Sequence, residues 1–78
     1  MEVNVFPNPT NTDFKLRVFT TGKEKIHVRI MDLQGRVRET ITILSGQQIS
    51  IGQTLPAGTY FAEILKGKKK AIQKLIKW

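Results

Sequence analysis

The chain has 78 residues, 40% of them hydrophobic and 24% charged, a length that fits one domain with a single modest core and a composition too apolar for intrinsic disorder. It has no Cys and one His, which removes disulfides, thiolate metal sites and cysteine nucleophiles. Thirteen Lys and Arg against six Asp and Glu leave a formal charge of +7, attractive to phosphate backbones, anionic headgroups or acidic sugars without choosing among them.

Val3-Asn4-Val5-Phe6 is strand-like almost from the first residue. The expectation is therefore a single domain, residues 1–78, excised from a longer secreted protein whose export leader lies elsewhere. Pro7-Asn8-Pro9 removes two backbone donors and restricts the preceding residues to extended geometry, so strand pairing should stop there. Phe14, Leu16 and Val18 alternate with Lys15, Arg17 and Phe19, and Ile26, Val28 and Ile30 alternate with His27, Arg29 and Met31. Period two with β-branched residues on the apolar side predicts two half-buried strands. Asp32-Leu33-Gln34-Gly35 has the Asp and Gly of a type I turn, predicting a bulged hairpin over residues 26–43 in which Val37, Ile41 and Ile43 continue the inward row. Ser45-Gly46-Gln47-Gln48 and Lys66-Gly67-Lys68-Lys69 read as further hairpin loops. Ile49 and Ile51, then Tyr60, Ala62 and Ile64, add two more inward rows. Counting residues 3–6 and the C-terminal run, about seven short strands result, which makes the class all-β and the architecture an antiparallel β-sandwich.

In Leu55-Pro56-Ala57-Gly58-Thr59-Tyr60, Leu55 is expected in the core and the Tyr60 hydroxyl bonded to upstream backbone, as in sandwiches of the immunoglobulin type. Residues 66–78 hold six of the 13 basic side chains. Ile72, Leu75 and Ile76 also fit an amphipathic helix, but a closing strand suits the preceding turn and supplies the last partner. Its lysines are expected on an edge or loop, with Lys68 to Lys70 solvated.

Catalysis finds little support in these residues. His27 falls on a solvent face, and neither Ser45 nor Ser50 lies in a nucleophile elbow. Asn8, Thr10, Asn11, Thr12 and Asp13 offer oxygens to a hard cation, but such side chains ordinarily bond their own loop. Glu24 and Glu39 read as solvated charges. No catalytic residue, metal site or cofactor is expected, and few aromatics are free for base stacking, so nucleic acid is not expected as a partner.

Phe6-Pro7-Asn8-Pro9, Met31-Asp32-Leu33-Gln34-Gly35-Arg36, Leu55-Pro56-Ala57-Gly58-Thr59-Tyr60-Phe61 and Lys74-Leu75-Ile76-Lys77, in that order and spacing, resemble the type A C-terminal sorting domain of the type IX secretion system. The resemblance implies an immunoglobulin-like sandwich that directs a cargo, joined in cis at its N-terminal side, through the periplasm and across the outer membrane to the cell surface or the extracellular space. Its implied partners are the outer-membrane translocon and a sortase-like protease, which removes the domain and anchors or releases the cargo. Recognition is then expected in the late hairpin, at Gly58, Tyr60, Lys68, Lys69, Lys70, Lys74, Leu75, Ile76 and Lys77, by charge or by strand addition, which also allows an edge-strand homodimer. Structural roles are implied for Pro7, Asn8 and Pro9 in the opening turn, Asp32 and Gly35 in the central hairpin, and Leu55, Pro56, Gly58 and Tyr60 at the corner. The alternative is a non-catalytic sandwich module of a surface protein that binds glycan or protein.

Overall fold

Alternating apolar residues build all the regular structure. The computed structural model describes residues 1–78 as seven strands without a helix: β1 (Glu2–Phe6), β2 (Phe14–Phe19), β3 (Ile26–Met31), β4 (Val37–Ile43), β5 (Gln48–Ile51), β6 (Gly58–Lys66) and β7 (Lys69–Lys77). Two antiparallel sheets, ordered β1-β2-β5 and β4-β3-β6-β7, form a β-sandwich. Because β5 returns to lie beside β2 and β6 lies beside β3, the wiring is the Greek key of immunoglobulin-type sandwiches.

The period-two rows meet between the sheets. Phe14, Leu16, Val18 and Ile51 from one sheet pack on Ile26, Val28, Ile30, Ile43, Ala62, Ile64 and Leu75 from the other, with Tyr60 and Leu55 closing one end. Burying each large aliphatic or aromatic side chain contributes about 1.5–3 kcal/mol, so this one cluster carries most of the fold's stability.

Local chemistry sets each turn. Asp32 O accepts from Gly35 N at 3.0 Å and Asp32 N donates to Arg36 O at 3.0 Å, while Gly35 takes the positive φ of 82° that the turn requires. The register then slips between Ile30 and Met31, so that Ile30 faces Glu39 and Met31 faces Val37. This bulge corrects the expectation for Val37: it shares the outward side of Met31 and stands 48% exposed, instead of extending the core row. Between β6 and β7 the loop is two residues long, with Lys66 paired to Lys69 and Gly67 at φ 56°, the requirement of a type II′ turn.

A second correction concerns residues 45–48. They do not close a hairpin, because β4 and β5 belong to different sheets; the segment arches over the end of the sandwich. Gly46 N donates to Val18 O at 2.9 Å, and Ser45 exchanges bonds with Thr20 N and O, both at 3.0 Å. Its polar, Gly-containing composition suits both kinds of connection, and only the partner strands distinguish them.

Candidate recognition surface

The β6–β7 hairpin is the longest pairing in the molecule, nine residues on each side. Its register pairs Gly58 with Lys77, Tyr60 with Leu75, Phe61 with Lys74, Glu63 with Ile72 and Leu65 with Lys70. Alternation divides β7 into an inner row, Ala71, Gln73, Leu75 and Lys77, and an outer row, Lys70, Ile72, Lys74 and Ile76.

The basic run accordingly splits by role. Lys68, Lys69, Lys70 and Lys74 are exposed, whereas Lys77 is buried. Its ammonium donates to Gly52 O at 2.6 Å and Gln53 O at 3.2 Å across the sandwich. At the other end Lys66 is buried too and donates to Thr20 Oγ1 at 3.2 Å and to the Thr21 carbonyl. These two positions correct the expectation that all the run's lysines lie on an edge or loop: the stems follow the inner row and the heads reach carbonyls at the rim, while Lys68 to Lys70 are exposed.

The other expected recognition residues lie at different depths. Leu75 is in the core, Ile76 is half-buried and Gly58 is exposed. Tyr60 is buried and its hydroxyl donates to Pro56 O at 2.7 Å, across the corner that Leu55 fills from inside. Asp32 is buried as the hub of its turn: Oδ1 accepts from the Gln34 and Arg36 amides, each at 3.0 Å, and Oδ2 from Arg36 Nε at 2.8 Å. Burial pushes its carboxyl up, but the Arg36 amide and guanidinium and the Gln34 amide outweigh it and hold the carboxyl below 3.8.

Residues 7–10 lie against β7. Pro7 and Pro9 end β1's pairing, and both peptide bonds that precede them are cis. Between them, Asn8 Nδ2 donates to Lys74 O at 2.8 Å and Asn8 Oδ1 accepts from Ile76 N at 3.0 Å. Thr10 N donates to Ile76 O at 3.0 Å and Thr10 O accepts from Trp78 N at 2.8 Å, a parallel bridge. The strap caps the C-terminal part of the β7 edge. No local pattern marks Thr10 for this role, because its partners Ile76 and Trp78 lie at the other end of the chain.

On the outer face, Glu63 is 5% exposed between Arg29 and Lys70. Arg29 Nε donates to Glu63 Oε1 at 2.8 Å, a second guanidinium nitrogen does the same, and Lys70 Nζ stands 3.1 Å from Oε2. Hydrogen bonds from Arg29 and then Lys70 hold this carboxyl below 4.5 against the opposing effect of burial. Half-buried Met31, Phe61 and Leu65 and 60% exposed Ile72 surround it. The sequence signal for Glu63 is an acid on the outward row of a strand paired with one bearing Arg29, and it becomes visible only once β3 and β6 are known to be neighbours.

Other candidate chemistry is already engaged locally. Thr12 N donates to Thr10 Oγ1 at 3.3 Å, and Asp13 is bound by Lys15 at 2.9 Å. Lys15 also donates to Ser50 Oγ at 2.8 Å, and the His27 ring lies 3.3 Å from Thr42 Oγ1. Glu39, expected to be solvated, instead turns inward and accepts from Gly52 N at 3.2 Å. The arrangement offers docking groups: an exposed cationic and apolar sheet face next to a partly capped strand edge.

A family model described as a secretion system C-terminal sorting domain matches residues 4–78. No curated protein matches the chain.

Proposed function

We propose how this chain, which belongs to the family of secretion-system C-terminal sorting domains, presents its signal. The chain is a C-terminal sorting signal of type IX secretion, and that signal directs export across the outer membrane to the cell surface or the extracellular space. In our reading the folded sandwich is engaged in the periplasm by the outer-membrane translocon, carries a cargo on its N-terminal side, and is afterwards removed by a sortase-like protease that anchors or releases the cargo. The domain contributes display and recognition, and the bond-breaking chemistry belongs to the protease.

The observation that carries this reading is the family match over residues 4–78. The geometry supports placing recognition on the β6–β7 hairpin, where Lys68, Lys69, Lys70 and Lys74 are exposed. Tyr60, Leu75 and Lys77, being buried, act in this reading by holding the hairpin in place. Asn8 and Thr10 hold its edge, from the turn that Pro7 and Pro9 shape.

The test fuses residues 2–78 behind a periplasm-targeted fluorescent protein in a bacterium with a type IX system, with a translocon-deficient strain as control. Reporter on the surface or in the medium, dependent on the translocon, is the expected result. Reporter trapped intact in the periplasm would overturn the reading and favour a retained module that binds glycan or protein.

A further inference from the structure

In an antiparallel ladder, residues bonded to the neighbouring strand alternate with residues whose N–H and C=O point away from it. The strap shows which set points outward on β7, because Ile76 N and O, Lys74 O and Trp78 N are all taken by Asn8 or Thr10. By the same alternation the N–H and C=O of Lys70 and Ile72 also point away from β6. Neither the strap nor any side chain reaches them. The edge is therefore open for a short length, bounded by the type II′ turn at one end and the strap at the other.

The side chains over that opening have a definite pattern. Lys70, Ile72 and Lys74 share the outer face, each about 6–7 Å from the next at the usual rise per residue. Ile72 is 60% exposed, Lys74 has no ion-pair partner, and Lys68 and Lys69 stand at the adjoining turn. Glu63, the acid of this face, is already saturated by Arg29 and Lys70. What remains is an apolar residue between cations beside unpaired backbone.

We propose that the secretion machinery docks by adding an extended segment to β7 alongside Lys70 and Ile72, and that acidic and apolar residues alternate along the one face of this segment that lies beside Lys70, Ile72 and Lys74. The proposal rests on the sorting reading above and names the partner's chemistry. Main-chain bonds to Lys70 and Ile72 supply attachment, as in other strand-addition complexes, and the alternation supplies selectivity. On the face shared with β7 the segment carries an apolar residue opposite Ile72 and acids two residues to either side, facing Lys70 and Lys74. The other edges fit less well. On β4 the bulge disturbs pairing, and Asp32 binds the nearby Arg36 and Arg38; β1 presents Glu2, and β5 has only four residues.

The reporter fusion described above tests this with three variants. Ile72→Pro removes an outward N–H that the fold does not use, a change tolerated at sheet edges. Thr40→Pro makes the same change on the opposite edge, and Lys74→Glu reverses the free cation. We expect export to fall at least tenfold for Ile72→Pro and several-fold for Lys74→Glu, to persist for Thr40→Pro, and thermal midpoints of the purified domains to stay near that of the parent. Undiminished export of folded Ile72→Pro or Lys74→Glu, or an equal loss for folded Thr40→Pro, overturns the proposal while the sorting function stands. Should Ile72→Pro fail to fold, Ile72→Glu replaces it at this exposed position, and its normal export is equally fatal. If the parent fusion itself is not exported, the sorting reading falls and the docking proposal falls with it.

Discussion

Asn8 and Ile76 lie 68 positions apart, yet the Ile76 amide donates to the Asn8 side-chain oxygen at 3.0 Å. The Asn8 carboxamide spans β7's backbone from Lys74 to Ile76, as a neighbouring strand would, from a loop whose flanking prolines have no N–H to offer.

Replacing Asn8 with Ala removes both bonds and exposes Lys74 O and Ile76 N to water. The expected cost is about 1–2 kcal/mol, from two net hydrogen bonds at a partly hydrated site. Chemical denaturation measures it, and hydrogen exchange at the Ile76 amide should quicken more than at Leu75, whose amide faces β6. Equal acceleration at both positions would contradict the local role of the strap.

Lys77→Met keeps the buried stem and deletes the ammonium that binds Gly52 O and Gln53 O. Hydrogen bonds to a charged group are worth about 1.5–3 kcal/mol, so for a domain of this size the thermal midpoint should drop by roughly 6 °C or more. Lys68→Met, at the exposed turn, should change stability by less than about 0.5 kcal/mol. A similar response at the two positions would show that Lys77 does not act as an internal tie.

At Tyr60 two substitutions separate hydroxyl from ring. Tyr60→Phe loses the 2.7 Å bond to Pro56 O and should cost about 1 kcal/mol. Tyr60→Ala empties part of the core and should cost about 3–5 kcal/mol. An unchanged midpoint for Tyr60→Ala would refute its part in the corner.

Much of the sandwich was legible because its determinants are local. Phe14, Leu16 and Val18, like Ile26, Val28 and Ile30, announce their faces by alternation, and each is fully buried. What escaped depends on partners distant in sequence. A lysine in a basic run looks the same whether it points to water or, like Lys66 and Lys77, to a loop carbonyl at the rim of the sandwich. Val37 needed knowledge of a bulge, and the arch at residues 45–48 needed knowledge of which sheet receives β5. The exposed cations of the candidate surface could be named from the run itself, but the strap that limits their edge joins opposite ends of the chain and leaves no short-range signature.

Acid should destabilise the fold in a defined window. Glu63 is held below its ordinary 4.5, and Asp32 and Asp13 below 3.8, Asp13 chiefly by its hydrogen bond from Lys15. Folded values below unfolded ones mean that the unfolded chain takes up protons first, so the contribution is complete above the ordinary values and is lost as pH falls through the folded ones. Denaturation curves should give constant stability from neutral pH to about 5.5 and a decline below about 4.5. Glu63→Gln should flatten the upper part of that decline; a profile indistinguishable from the parent's would show that Arg29 and Lys70 contribute nothing through this carboxylate.

The parallel run of Thr10 beside Lys77 also sets how the domain answers a pull. Tension applied between its two ends draws the strap and the last strand past each other along their length, because one is loaded towards its start and the other towards its finish. The bonds from Asn8 and Thr10 to Lys74, Ile76 and Trp78 then bear the load together in shear, whereas an antiparallel pair loaded at one end peels a bond at a time. The contacts between the strap and the last strand thus resist stretching of the sandwich in shear, beside the β1–β2 pairing that lies between the first residue and the strap.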